Sequence, residues 1–250
     1  MLSVGEKLSK LQSLIETGDI QQFDQLIGSE KFIAGLPKRH PELLFLMYQG
    51  ASNPLSAKHS LDKAEKLLDV SVNLKHPPAI AEKGRLKFES AKTAEDYMDA
   101  EDLFRASIEE CSMSRYYIAR IYHEGLIKRG DVAKFDHKEA KLQLAQLVSD
   151  KGDYYVESVI LMAEVILHIN DISERDEIFF SAHVSPLAKV GDESALRLLC
   201  LFNIIRLKSS VALLNSHNES KLSVDYFDVK FAINRASSHL QEVSKLIGSN

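Results

Sequence analysis

The stretch Ser114–Gly152, SRYYIARIYHEGLIKRGDVAKFDHKEAKLQLAQLVSDKG, holds two helical patterns joined by a polar loop. In the first pattern Ile118, Ala119, Ile121 and Tyr122 share one side, and Gly125 stands where a helix would stop. In the second, Asp136-x-x-Glu139 forms a capping pattern ahead of Ala140, Leu144, Leu147 and Val148. Between them lies the loop with Gly130 and Asp131. A helix pair of this length cannot bury its apolar side alone, so it needs neighbours of its own kind.

Such neighbours occur on both sides. Upstream, Leu8, Leu11, Leu14 and Ile15 fall on one face of a helix predicted over 4–17, stopped by Gly18, and Asp19 caps a second helix with Phe23 and Leu26. Pro41 opens a helix whose run Leu43–Tyr48 is expected to end at Gly50. Ser60 caps the helix of Ala64, Leu67, Leu68 and Val72, and a further helix is read over 79–91 with Gly84 inside it. Thr93-x-x-Asp96 and Ser173-x-x-Asp176 are two more capping signatures. Downstream, 157–168 and 194–207 read as helices, and Pro186 should kink or shorten the one that ends at Gly191. Residues 209–223 read as the longest loop, and a last helix is expected over 225–247. No segment alternates like a half-buried strand, so the fold class is all-α.

The inner residue early in every second helix sets a ruler: Ala64, Ala100, Ala140, Phe180 and Ala232 stand 36, 40, 40 and 52 residues apart. Two-helix units repeating at about 35–45 residues are the mark of an α-solenoid. In detail the chain resembles the Sel1-like repeat family, a relative of the tetratricopeptide repeat. That family's leading small residue falls on Ser114, its Leu-Gly-x-x-Tyr-x-x-Gly run on Ile118-Ala119-x-x-Tyr122-x-x-Gly125, and its Asp-x-x-Lys-Ala run on Asp136-x-x-Glu139-Ala140. Ser158, Met162-Ala163 and Leu187-Ala188-x-x-Gly191 supply a second copy, and Leu61-Asp62-Lys63-Ala64 belongs to the first. Most of the family's glycines are replaced, and Leu147-Val148 stand where alanines are usual. The resemblance implies a right-handed α/α solenoid of antiparallel helix pairs: a helical cap over 1–35, then one continuous array over 36–250, with the first helix of each pair lining a concave face. It also implies adaptor or assembly roles in bacteria, around secretion, polysaccharide export or effector immunity.

Composition agrees with a packed, water-soluble chain: 250 residues, 45% hydrophobic and 27% charged, with 36 acidic against 31 basic side chains. A net charge of −5 gives no footprint for nucleic acid or an anionic membrane. No apolar run approaches the ~20 residues of a membrane helix, and no leader-like start is visible, so a cytoplasmic location without membrane insertion is expected. Cys111 and Cys200 are expected as reduced, buried thiols.

Catalytic and metal signatures are weak. His123-Glu124 and Asp136-His137 flank one loop, yet no His-x-x-x-His or Cys-x-x-Cys spacing occurs, so neither metal nor cofactor is expected. There is no glycine-rich phosphate loop and no Gly-x-Ser-x-Gly elbow. Lys38-Arg39-His40, short and close to Glu42, reads more simply as a loop than as an anion site. The expected function is therefore non-enzymatic: a scaffold or adaptor that binds a protein partner on the concave face. The alternative is an immunity or inhibitor protein for one toxin; a hydrolase or enzyme accessory would need a polar pocket with a perturbed titratable group. Residues one turn apart on successive first helices mark the face: Arg85 and Phe88 (with Ala81), then Tyr116, Arg120 and His123, then Glu164 (with Ile160 and Leu167). Tyr and Arg are over-represented among binding hot spots, while the plainer reading buries the apolar members and solvates the arginines.

Overall fold

The computed structural model describes residues 2–129, 132–169 and 172–219, and the single helical positions 234, 237 and 241. The described residues form helices joined by loops, with almost no strand. By internal contacts the chain divides into two compact units, Met1–Lys134 and Phe135–Asn250.

The first unit holds α1 (Val4–Glu16), α2 (Ile20–Gly28), the single turn α3 (Glu30–Ile33), α4 (Pro41–Ser52), α5 (Leu61–Asn73), α6 (Pro77–Ser90), α7 (Ala94–Ser107) and α8 (Ser112–Glu124). Local chemistry starts and stops them. The side chains of Asp19, Ser60 and Thr93 accept from the backbone N–H three residues on, and Thr93 with Asp96 closes a reciprocal capping box. Pro41 occupies the first turn of α4, where its missing N–H costs nothing. Gly125 ends α8 in the left-handed region at φ 63°, which a side chain would disfavour.

Gly50 does not end its helix. It lies inside α4, and a Cβ built there would stand 2.3 Å from Phe23 Cε1. Gly84 plays the same part in α6, where a Cβ would meet Phe104 Cε1 at 2.8 Å. Neither has positive φ, so each glycine is a socket for an aromatic ring from a neighbouring helix rather than a stop. Leu8, Leu11, Leu14, Phe23, Leu36, Leu43 and Leu46 form the first core layer, so the segment before residue 36 packs directly on α4. Tyr48, Ala51, Ala64, Leu68 and Ala79 form the next. The principal neighbour pairs are α4 with α5 and α6 with α7. Small hydroxyls sit where helices approach closely: Ser71 Oγ donates to the Pro41 carbonyl at 2.8 Å, and the Ser107 and Ser114 hydroxyls meet at 2.7 Å, fully enclosed.

The polar loop of the decisive stretch carries a correction. Lys128–Arg129 (β1) and Val132–Ala133 (β2) pair antiparallel as a minimal hairpin, Lys128 opposite Ala133 and Arg129 opposite Val132. These are the only strands among the described residues.

The second unit holds α9 (His137–Asp150), α10 (Tyr155–Ile169), α11 (Glu174–Phe179), a π turn over Phe180–Val184, α12 (Ser185–Lys189) and α13 (Glu193–Glu219). Helices α9 and α10 are its main packed pair. Asp136 caps α9 through the Glu139 N–H, and Ser173 with Asp176 forms a full capping box on α11. Pro186, expected to kink or shorten its helix, does not interrupt it: the chain stays helical from Glu174 to Lys189, widened to a π turn over Phe180–Val184 just ahead of Ser185-Pro186. Phe180 in that turn stacks on Phe202 of α13, with centroids 3.9 Å apart.

Residues 209–219, read as loop, are helical and continue α13 without interruption. The helix expected over 225–247 and the ruler residue Ala232 lie outside the described residues. The other ruler residues, Ala64, Ala100, Ala140 and Phe180, are all buried, none more than 3% exposed. Cys111 and Cys200 are free thiols and half-buried rather than enclosed; Cys111 precedes α8 instead of lying within a helix. Among the described residues no helix is long and apolar enough to cross a membrane.

Candidate interaction surface

Helix α6 reads Glu82-x-x-Arg85-x-x-Phe88-Glu89, so an arginine has one carboxylate a turn before it and another a turn after. The structure uses both. Arg85 grips Glu82 with two parallel bonds of 2.7 Å and reaches Glu89 at 2.6 Å. Tyr48 of α4 donates its hydroxyl to the same Glu82 at 2.5 Å, tying α4 to α6. The Glu82 bond, partly opposed by burial, holds the Arg85 guanidinium more firmly protonated than usual. Burial, then the Glu82 carboxylate, pushes the Tyr48 phenol well above its ordinary range.

Helix α8 brings the second half. Tyr117, 8% exposed, lies at the centre: it stacks on Phe104 at 5.1 Å and meets Phe88 edge-on at 4.9 Å. Phe88 also meets Tyr97 at 5.3 Å. The Arg120 guanidinium lies 4.8 Å from the centroid of Phe88 and 5.8 Å from that of Tyr117, while its Nε donates to Glu124 at 2.9 Å. Burial disfavours the Arg120 charge, and the Glu124 bond and charge outweigh it. For Tyr117 burial and then Glu89 raise the phenol, against Arg85 and Arg120. Both phenols therefore stay neutral donors at physiological pH.

Of the residues chosen from sequence, Phe88 and Arg120 lie against Tyr117, the Arg85 charge acts on its phenol, and Tyr116 joins through an edge-to-face contact with Tyr117 at 5.5 Å. Phe88 is 7% exposed and supports the surface from below instead of presenting it. The side chains of Arg85 and Arg120 are 27% and 31% exposed, neither enclosed nor fully solvated. His123 is half-buried in the last turn of α8, and Glu164 is half-buried on α10 in the second unit. Sequence reasoning missed Glu82, Glu89 and Tyr117. The carboxylates were legible at i−3 and i+4 from Arg85; Tyr117 was hidden by its neighbour Tyr116, since adjacent aromatics on a helix cannot both point inward.

Beside this cluster an open cleft of about 810 Å³ runs along α4, α5, α6 and α7. Leu61, Leu68, Val72, Leu86 and Leu103 give it an apolar lining, and Tyr48, Glu82 and Arg85 form its polar edge. A second Tyr–Glu–Arg set lies between α7 and α8: Tyr122 donates to Glu101 at 2.7 Å, and Arg105 bonds both, at 2.7 Å to Glu101 and 2.9 Å to the Tyr122 oxygen. Tyr122 is 3% exposed, so this set fastens α8 to α7. Among the described residues no group of three or more His, Cys, Asp or Glu side chains is arranged to hold a metal. His137 instead faces His168, with ring centroids 4.8 Å apart.

No protein-family model, no curated protein and no solved structure matches the chain.

Proposed function

We propose that the protein is a non-enzymatic interaction scaffold that docks a partner protein on the α6–α8 surface. The observation that carries this reading is the pair of half-exposed arginines, Arg85 held by Glu82 and Glu89 and Arg120 held by Glu124 over the Phe88 and Tyr117 rings, beside an apolar cleft. Binding energy concentrates in Arg and Tyr side chains, and a side chain already held in one rotamer loses less entropy on binding. Arg85 gives three of its five guanidinium N–H donors to Glu82 and Glu89, and Arg120 gives its Nε–H to Glu124, so each keeps donors for a partner's acceptors.

In the fuller form of the proposal, residues 1–35 cap a continuous Sel1-like solenoid over 36–250, located in the cytoplasm. Its concave face would carry Glu164 and His123 as well. The buried ruler positions and the packed neighbour pairs support that arrangement. The test is affinity capture from native cells, with wild-type bait beside a Tyr116→Ala, Arg120→Glu bait. A protein retained by the first and lost by the second is expected. Its identity separates an adaptor from a toxin inhibitor. Recovery of the same proteins by both baits would remove this surface.

A further inference from the structure

Two helices of the first unit open on the same dipeptide. His40-Pro41 starts α4 and His76-Pro77 starts α6, 36 residues on, the interval that also separates Ala64 from Ala100. Each histidine is the N-cap, and neither side chain makes a capping bond. An imidazole is a poor residue for that place, because its charged form meets the positive end of the helix dipole.

The fold ties the two caps together through the end of α5. Ser71 Oγ donates to the Pro41 carbonyl at 2.8 Å, and the Ser71 carbonyl accepts from the His76 N–H at 3.2 Å. The His76 ring lies against Phe45 of α4, with centroids 5.4 Å apart. Both imidazoles are half-buried, and the enclosed Nδ1 of His40 has no hydrogen-bond partner among the described residues. From α4, Glu42 and His40 are the groups whose charges act on His76. Lys75 precedes His76 at the turn out of α5, and Lys38 and Arg39 precede His40, all three exposed. One carboxylate thus faces two imidazoles. Burial lowers the proton affinity of His76 most; Glu42 opposes that and His40 adds to it.

We propose that this junction is an acid-sensitive clasp: with both imidazoles neutral the first turns of α4 and α6 stay together, and once both are charged they part. Glu42 balances one imidazolium, and the second then meets the first at the positive ends of two helices. The start of α6 is the part that yields, since Pro77 and Pro78 supply no N–H to hold it. The clasp depends neither on the α6–α8 docking reading nor on any partner.

Hydrogen exchange of the full chain, read by mass spectrometry at about pH 7.5 and 5 and corrected for the intrinsic effect of pH, follows the clasp directly. A histidine that stays neutral while the clasp is closed and charges freely when it opens raises the open fraction at pH 5 by up to about thirtyfold. Peptides covering 40–48 and 76–84 should therefore lose at least about fivefold more protection on acidification than peptides of α7. His40→Gln leaves Glu42 to His76 alone and should bring that excess below about twofold, whereas Glu42→Gln should enlarge it. His76→Phe, which keeps a ring against Phe45, should abolish it. An acid loss of protection that is uniform along the chain overturns the proposal, and so does an excess unchanged in His40→Gln. Where His76→Phe fails to fold, the opposite signs expected of His40→Gln and Glu42→Gln still decide, and equal signs overturn the clasp.

Discussion

Adding one methyl group at three glycines should give two different signs. A Gly→Ala change in a helix ordinarily stabilises by about 0.5–1 kcal/mol, because alanine loses less backbone freedom on folding. At Gly84 the new Cβ would lie 2.8, 2.9 and 3.2 Å from three atoms of the Phe104 ring. Phe104 is fully buried, so the ring cannot swing into solvent and α6 and α7 must separate. Overpacking of this kind costs about 1–3 kcal/mol, which outweighs the helix gain and leaves Gly84→Ala destabilised by about 0.5–2 kcal/mol. Gly50→Ala, with a contact of 2.3 Å to Phe23, should fall at the severe end. Gly5→Ala is the control: it lies in α1 with nothing within 4 Å of the added carbon, and should stabilise by up to about 1 kcal/mol. Urea unfolding reads all three as midpoint shifts at constant slope. Phe104→Leu in the Gly84→Ala background should recover part of the loss, a coupling of at least about 0.5 kcal/mol in a double-mutant cycle. A Gly84→Ala midpoint that rises with that of Gly5→Ala would refute the socket and with it the α6–α7 packing.

Three further outcomes follow from the same contacts. Ala119→Leu and Ala140→Leu each insert bulk at a position with no exposure, and each should cost about 1–3 kcal/mol in the urea midpoint; tolerance would place these residues on the surface. Tyr48→Phe removes the bond to Glu82 and should cost about 1–3 kcal/mol, as expected for a hydrogen bond to a charged group, with no loss of helicity by circular dichroism. His76, His137 and His183 are each held below the ordinary histidine range, chiefly by burial and for His137 also by His168. The unfolded chain therefore takes up these protons first, so this contribution is complete above about pH 6.5 and is lost as pH falls through the lowered folded values. The urea midpoint should drop between about pH 7.5 and 5, and a flat or rising profile would contradict the burial of these rings.

What the sequence disclosed, it disclosed through short-range chemistry. Caps at Asp19, Ser60, Thr93, Asp136 and Ser173 depend on three or four consecutive residues, and all five operate. Gly50 was opaque for the opposite reason. Whether a glycine stops a helix or receives a ring depends on Phe23, which comes from another helix. Residues 209–219 were expected as loop, yet helix α13 carries through them, since propensity is a weak prior against continuation of an established helix. On the candidate surface the arginines were visible by type and spacing. The central ring was not, because the choice between Tyr116 and Tyr117 rests on Phe88 and Phe104, neither of them on α8.

The most direct test of the docking surface is a calorimetric titration of the captured partner into wild-type protein and into the Tyr116→Ala, Arg120→Glu variant. Hot-spot losses of about 2 kcal/mol or more at these residue types predict affinity weakened at least about 30-fold, with the circular dichroism spectrum unchanged. A folded variant that binds at wild-type affinity would contradict the assignment of the α6–α8 surface.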